Sequence, residues 1–413
     1  MANNNKHTGP NVPALRFPEF SGKWEKFRVS DFIEFFPTNS LSWDQLEYRG
    51  AGLLNLHYGM IHNGLPVQVD VSKNALPSIK EDYYPKKYTL CKEGDIAFAD
   101  ASEDTNDVGK AIEFNNCAGK SIVCGLHTIH GRDRLGLTYT GFKGYLFSSK
   151  VYHDQIKSIA QGTKVFSIKA SNFDEVILGL PKKEEQKKIS SLLMTIDDRI
   201  LTQSKIIEDK ETLYKAIIDK HFKEIRKNDA IQEVYLSNVF KERVEYSSND
   251  GVFPHASLTK EGVNIKTDRY NRDFLVKDTD KQYKVTRIND ICYNPANLKF
   301  GVITRNIVGT LIFSPIYVTF EVRNGYDPAY IELMVTNGYF VNKMLRFQEG
   351  TVYERMAVSS EDFLSESCKI PDLEIQTEFS AHVSKIEQSI QVEKKYLESI
   401  CRMKNYILEA MFI

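Results

Sequence analysis

The chain contains no run approaching the roughly 18 consecutive apolar residues that a membrane-spanning helix needs. Its opening, Met1-Ala2-Asn3-Asn4-Asn5-Lys6-His7, lacks the apolar centre of a signal peptide. A soluble, cytoplasmic protein is therefore expected. Cysteine is sparse, six in 413 residues without a close C-x-x-C pair, which suits reduced thiols and argues against a disulfide framework. Excess charge of one sign is missing too. With 54 basic residues against 55 acidic ones, the net charge of −1 creates no global field for polyanions. Any nucleic-acid contact must use local patches or a basic partner. Proline (13) and glycine (23) are too few for a fibrous or low-complexity chain, and 42% hydrophobic with 26% charged residues is a globular composition. A length of 413 residues exceeds one ordinary domain and predicts two to four units with at least two cores.

Several chemistries are also missing. Gly119-Lys120-Ser121 looks like the end of a phosphate loop, but Phe114 stands where the first glycine belongs, and its side chain would block backbone approach to phosphates. Asn294-Pro295-Ala296-Asn297 begins like the Asn-Pro-Pro-aromatic loop of amino-methyltransferases but lacks the second proline and the aromatic. Pro371-Asp372 with Glu393-x-Lys395 fits a loose nuclease spelling, yet these residues lie along one long helix and cannot converge on one ion. Cys124-x-x-His127-x-x-His130 offers metal-ligand types, but on one strand residues three apart face opposite sides, so no metal site is expected.

What is present is a duplication. Leu180-Pro181 onward aligns without gaps on Ile370-Pro371 onward at an offset of 190, with identities at Pro181/Pro371, Glu184/Glu374, Gln186/Gln376, Ser190/Ser380, Ile196/Ile386, Ile200/Ile390 and Phe222/Phe412. Upstream, Trp24 to Phe32 matches Ile231 to Val239 at an offset of 207, and Gly94-Asp95-Ile96 matches Asn289-Asp290-Ile291. The order is unit, helix, unit, helix. Each helix begins after a proline with acidic residues in its first turn. Ile189, Leu193, Ile196, Ile200, Ile207 and Ile217 in the first copy, and Phe379, Val383, Ile386, Ile390, Leu397, Ile400 and Ile407 in the second, recur by threes and fours. That period predicts a coiled-coil seam along rods of roughly 60 Å, interrupted by polar Gln203, Lys210, Glu393 and Lys404.

Between the helices lie short β-type runs: Asp95-Ile96-Ala97-Phe98, Ser121 to Cys124, Thr310 to Phe313 and Pro315 to Phe320, followed by a helical stretch from Pro328 to Val335. Each unit then reads as a mixed α/β domain. Candidate recognition side chains in the first are Ser102, Asn106, Lys110, His127, His130, Arg132 and Arg134. Those in the second are Asn294, Asn297, Lys299, Arg346 and Arg355. They are donors suited to phosphates and base edges.

Pro13-Ala14-Leu15-Arg16-Phe17-Pro18-Glu19-Phe20-Ser21-Gly22-Lys23-Trp24-Glu25 resembles the opening of many specificity subunits of type I restriction-modification systems, and both helix starts, Leu180-Pro181 to Ile189 and Ile370-Pro371 through Gln376, look like that family's. The resemblance covers essentially the whole chain. It implies an α+β fold in which two target-recognition domains are held apart by two long antiparallel coiled-coil helices with internal pseudo-twofold symmetry. The divisions are 1–177 (N-terminal segment and first recognition domain), 178–228 (first helix), 229–367 (second recognition domain) and 368–413 (second helix). Each domain would read one half of a split, asymmetric double-stranded DNA target, the helices setting the unread spacer. Two methyltransferase subunits and restriction subunits would dock on the chain. S-adenosylmethionine, ATP and Mg²⁺ would belong to those partners, leaving this chain without catalysis, cofactor or metal. The rival reading is a coiled-coil scaffold carrying two protein- or glycan-binding modules.

Overall fold

The computed structural model describes residues 11–48, 52–247, 252–266, 282–347 and 357–413. They form two compact units, one of residues 1–204 with 395–413 and the other of residues 205–394.

In the first unit the chain enters along strand Glu25–Arg28 and leaves along Ile177–Leu180, the two pairing antiparallel from Glu25↔Leu180 to Arg28↔Ile177. The short helix Val29–Phe32 follows, with Val29 and Phe32 fully buried. A five-stranded sheet comes next, in the order Ile33–Phe36, Thr128–Asp133, Ile96–Ala99, Ala111–Asn116 and Gln68–Asp70. Its strand Ile96–Ala99 is buried on both faces. Ile96 and Phe98 enter a core that includes Phe142, Phe147, Tyr152 and Phe173, while Ala97 and Ala99 join a second core with Leu56, Ile112 and Phe114. A four-stranded sheet (Ile122–Cys124, Leu54–Leu56, Ser78–Ile79, Leu46–Glu47) covers that second core.

Among the described residues, the second unit repeats this plan with fewer strands. Glu233–Tyr235 pairs with Ser367–Lys369, and helix Leu236–Val239 follows. A four-stranded sheet runs Phe240–Glu242, Val318–Val322, Ile291–Tyr293, Ile303–Arg305, beside a three-stranded one of Tyr246–Ser247, Tyr283–Thr286 and Leu311–Phe313. Pro315 and Ile316 fall outside the expected strand, because Tyr317 N donates to Ser314 O at 3.1 Å in a turn and extended pairing begins only at Val318.

The helices Lys183–Lys227 and Leu373–Ala410 carry the predicted seam. Within the first unit Ile189, Leu193, Ile196, Ile400 and Ile407 are buried, with Ile200 and Leu397 half-buried. Asp197 meets Lys404 at 2.5 Å and Arg199 donates to Tyr396 Oη at 3.2 Å. Within the second unit Ile207, Val383 and Ile390 are buried and Phe379 and Ile386 half-buried. There Lys210 meets Glu393 at 2.7 Å and His221 stacks on Phe379 at 3.6 Å. In each unit the partner's number falls as the first helix advances, so the helices run antiparallel. Ile217 is only half-buried because its neighbour Ile218 takes the seam, the drift expected when 3.6 residues per turn meet a 3.5 repeat.

The duplicated residues at the helix starts have matching jobs. Gln186 Nε2 donates to Pro181 O and Gln376 Nε2 to Pro371 O, each at 2.8 Å. Their Oε1 atoms reach into the preceding units, Gln186 accepting from Tyr139 N at 2.7 Å and Gln376 from Asp327 N at 2.9 Å. The opening motif is explained as well. Arg16 forks onto buried Glu185 with two 2.7 Å bonds, and Trp24 Nε1 adds a third at 3.3 Å.

Candidate nucleic-acid interface

In the first unit the antiparallel strands Ile96–Ala99 and Ala111–Asn116 are joined by an eleven-residue connection, 100–110, that carries Ser102, Asn106 and Lys110. Asx-type turns shape it: Asp104 Oδ1 accepts from Asn106 N at 2.8 Å and from its Nδ2 at 2.9 Å, while Ser102 Oγ accepts from Asp104 N at 3.1 Å. The short helix Tyr58–His62 stands beside the connection. Lys110 Nζ donates to His62 O at 3.1 Å, and His62 Nε2 lies 3.0 Å from Ala101 O. His127, at φ +54°, turns its ring onto the same helix, with Nδ1 3.1 Å from Asp100 Oδ1 and the ring edge-on to Tyr58 at 5.1 Å. The structure thus brings Lys110 and His127 against one helix, with Ser102 and Asn106 on the connection that contacts it through Ala101.

His57 anchors that helix by accepting from Gly59 N at Nδ1 (3.2 Å), and half-exposed Trp43 packs on its ring at 4.4 Å. Burial, helped by the neighbouring His127, lowers the His57 pKa.

Four other candidates are engaged by partners within the protein, although Arg134 and Arg346 remain exposed. His130, expected as a donor to DNA, is 1% exposed, and its Nε2 sits 2.8 Å from Asp95 Oδ2. Arg132 forks onto the same carboxylate, Nε to Oδ1 at 2.8 Å and Nη2 to Oδ2 at 2.7 Å. These two residues lie two apart on strand Thr128–Asp133 and so face one side, where a buried acid holds them. Arg134 caps the helix Val29–Phe32 through Asp31 O at 2.9 Å. Arg346 pairs with buried Glu366, which also takes Lys343 at 2.8 Å. Arg355 lies outside the described residues.

The metal-type triplet also differs from expectation. Cys124 ends one strand, His127 turns away, and His130 lies on a strand of the other sheet, so Cys124 and His130 converge despite their spacing.

In the second unit the matching connection, between Ile291–Tyr293 and Ile303–Arg305, folds as a 3-10 turn, Pro295–Phe300. Asn294, 7% exposed, caps it by accepting from Ala296 N at 3.1 Å, so its side chain faces inward. Asn297 is half-buried and Lys299 exposed. The sequence reading missed Phe300, which is 54% exposed with the ammonium groups of Lys299 and Lys260 5.0 and 5.7 Å from its ring centre. It also missed Tyr83-Tyr84-Pro85-Lys86-Lys87-Tyr88, whose three tyrosines and two lysines are all exposed. Interleaving of aromatic and basic residues was the available signal.

No family model matches the chain. In sequence it is similar to the type I restriction enzyme MjaVIII specificity subunit of Methanocaldococcus jannaschii, 23% identical over 294 residues, or 65% of this chain and 68% of that one. In structure it is similar to the S subunit of a type I restriction-modification system from M. genitalium, with a TM-score of 0.54 and 15% identity, covering 97% of this chain and 99% of that one. A structure described under complex assembly and conformational transition of the type I R-M system gives a TM-score of 0.58 at 13% identity, covering 93% and 96%. The resemblance carried by Pro13 to Glu25 and by the two helix starts is borne out: the chain has the fold of a type I restriction-modification S subunit along nearly its whole length and is related in sequence to a curated specificity subunit.

Proposed function

We propose that this chain is the non-catalytic, cytoplasmic DNA-reading subunit of a type I restriction-modification complex, each unit contacting one half of a split target. The carrying observation is the duplicated placement of polar, aromatic and basic loops. Connection 100–110 in the first unit and 294–302 in the second join equivalent strands of equivalent sheets. Ser102, Asn106, Lys110 and His127, with Tyr58 and Trp43, form the first reading surface. Asn297, Lys299 and Phe300 form the second. Near-neutral total charge fits a reader that gains affinity from basic partner subunits. Exposed Leu201 and Leu213 on one long helix, and Val392, Met403 and Tyr406 on the other, suit docking of two methyltransferase subunits, to which S-adenosylmethionine would belong. ATP and Mg²⁺ would serve restriction subunits recruited by the same complex.

Exchanging residues 25–177 for the corresponding domain of a relative tests this reading, with methylome sequencing of cells that also supply the methyltransferase. One half of the methylated site should change while the other half and the spacer stay fixed. A chimera that rewrites both halves, or neither, overturns it, as does S-adenosylmethionine-dependent methylation by the isolated chain. DNA-independent capture of unrelated proteins or glycans by both units would favour the scaffold reading.

A further inference from the structure

Three soft or borderline ligand groups meet in the interior of the first unit. Cys91 precedes the turn into strand Ile96–Ala99, and its amide donates to Ile122 O at 2.8 Å beside the strand that ends in Cys124. The two sulfurs lie 3.6 Å apart. A ring nitrogen of His130 joins them, all three ligand atoms lying within 4.8 Å of one another. Cys91, Cys124 and His130 are 6%, 2% and 1% exposed.

Tetrahedral zinc with Zn–S near 2.3 Å and Zn–N near 2.0 Å requires S···S of about 3.8 Å and N···S of about 3.5 Å. The observed sulfur spacing is close to that, whereas a disulfide would require the atoms to close to about 2.05 Å. The histidine also has the kind of carboxylate partner that metal-bound histidines have. Its Nε2 faces Asp95 Oδ2 at 2.8 Å, and Arg132 holds that carboxylate in place. A carboxylate behind the imidazole fixes the tautomer, keeping the lone pair on the other nitrogen. Two thiolates and a neutral imidazole around a divalent ion sum to zero charge, which a dry interior tolerates.

We propose that Cys91, Cys124 and His130 form a binding site for a thiophilic metal ion, Zn²⁺, with a water in the fourth position. The ion staples the two sheets of the first unit, since Cys124 ends a strand of the four-stranded sheet and His130 lies in the five-stranded one. At the equivalent described positions the second unit has different residues. Thr286 stands before the equivalent turn, where the first unit has Cys91. Thr319 pairs with Cys292 as His130 pairs with Ala97, and Thr286 Oγ1 approaches Cys292 Sγ at 3.2 Å.

The full chain, incubated with zinc under reducing conditions and desalted, should retain one zinc per chain by elemental mass spectrometry. Cys91→Ser and Cys124→Ser should abolish retention, and Cys368→Ser should preserve it. Because a core variant can fail to fold, Co²⁺ loading of the unaltered chain provides an independent reading through thiolate-to-cobalt charge-transfer and tetrahedral d–d bands. Absence of those bands with no retained zinc overturns the site. So does zinc that survives both substitutions, or an intact mass showing the two thiols joined as a disulfide in the protein isolated without added oxidant.

Discussion

In the first unit, strand Ala111–Asn116 carries Glu113 and the following helix brings Lys143 to it at 3.1 Å. In the second, strand Ile303–Arg305 carries Arg305 and helix Pro328–Thr336 brings Glu332 to it at 3.0 Å. The strand positions are equivalent, since Glu113 pairs with Ile96 and Arg305 with Ile291, each the residue after the turn aspartate. The bridge joining helix to sheet has been kept with its charges exchanged. Its setting has changed as well: the side chains of Lys143 and Glu113 are 3% and 0% exposed, those of Arg305 and Glu332 23% and 24%. A duplicated frame therefore preserves complementarity more strictly than residue identity.

The turn aspartates teach the same lesson. Asp95 and Asp290 accept from the amide three residues back, Lys92 N at 2.8 Å and Arg287 N at 2.7 Å. Each also receives a forked arginine, but Arg132 comes from strand Thr128–Asp133 whereas Arg243 follows strand Phe240–Glu242.

The largest contrast should come from the exchanged bridge. Glu113→Ala strands Lys143 in the core and removes the acceptor for Gly141 N and Gly144 N, at a cost of about 3–5 kcal/mol. Glu332→Ala, at a partly wet site, should cost roughly 1–2 kcal/mol. Denaturant unfolding of the full chain measures both, and equal losses would break the comparison.

The aspartates come next. Arg243→Ala leaves Asp290 with a backbone donor alone, while Arg132→Ala leaves Asp95 its His130 contact, so the second-unit variant should be less stable by about 1 kcal/mol or more. The pH dependence sharpens this. Burial pushes the Asp95 carboxyl up, but hydrogen bonds from Arg132, His130 and the Lys92 amide outweigh it and hold its pKa below the ordinary carboxylate value. A depressed carboxyl stabilises fully above its unfolded value and loses that contribution as pH falls through the folded one. Acid unfolding of the first unit should therefore steepen below about pH 4, and Arg132→Ala should shift its midpoint upward.

Gln186→Leu removes bonds to Tyr139 N, Leu137 O and Pro181 O, whereas Gln376→Leu removes those to Asp327 N and Pro371 O. Losses of about 1–3 kcal/mol are expected, larger for the first, read from the two melting temperatures. Lys210→Ala should change stability by no more than about 1 kcal/mol, because both partners of that pair are about a third exposed. A larger loss would make this polar seam pair a determinant of register.

Both long helices, their seam and the duplication were legible in the sequence, since heptad spacing and the Pro…Gln start survive in both copies. The exchanged bridge was not, because aligning Glu113 with Arg305 gives a mismatch unless the partner on the helix is known. His130 and Arg132 read as donors for DNA for a related reason. Their period-two spacing marks one strand face, but the acid they meet lies 35 and 37 residues upstream. Pairing across strands is invisible to a scan along the chain. Phe300 and the tyrosine–lysine run carry a visible signal, aromatic rings interleaved with lysines, which stack on bases and sugars and offer no hydrogen-bond pattern to a base edge.

The paired strands through which the chain enters and leaves each unit also govern length. Between Arg28 and Ile177 lie 148 residues, and between Tyr235 and Ser367 lie 131; the difference of 17 is the whole drift in repeat offset from 207 to 190. Closing a loop that much longer costs about 0.1 kcal/mol in chain entropy, because the cost rises with the logarithm of length. Everything between the two rungs can thus grow, shrink or be rewritten at almost no expense to the helical frame, leaving the interior of each unit free to diverge while its doorway stays fixed.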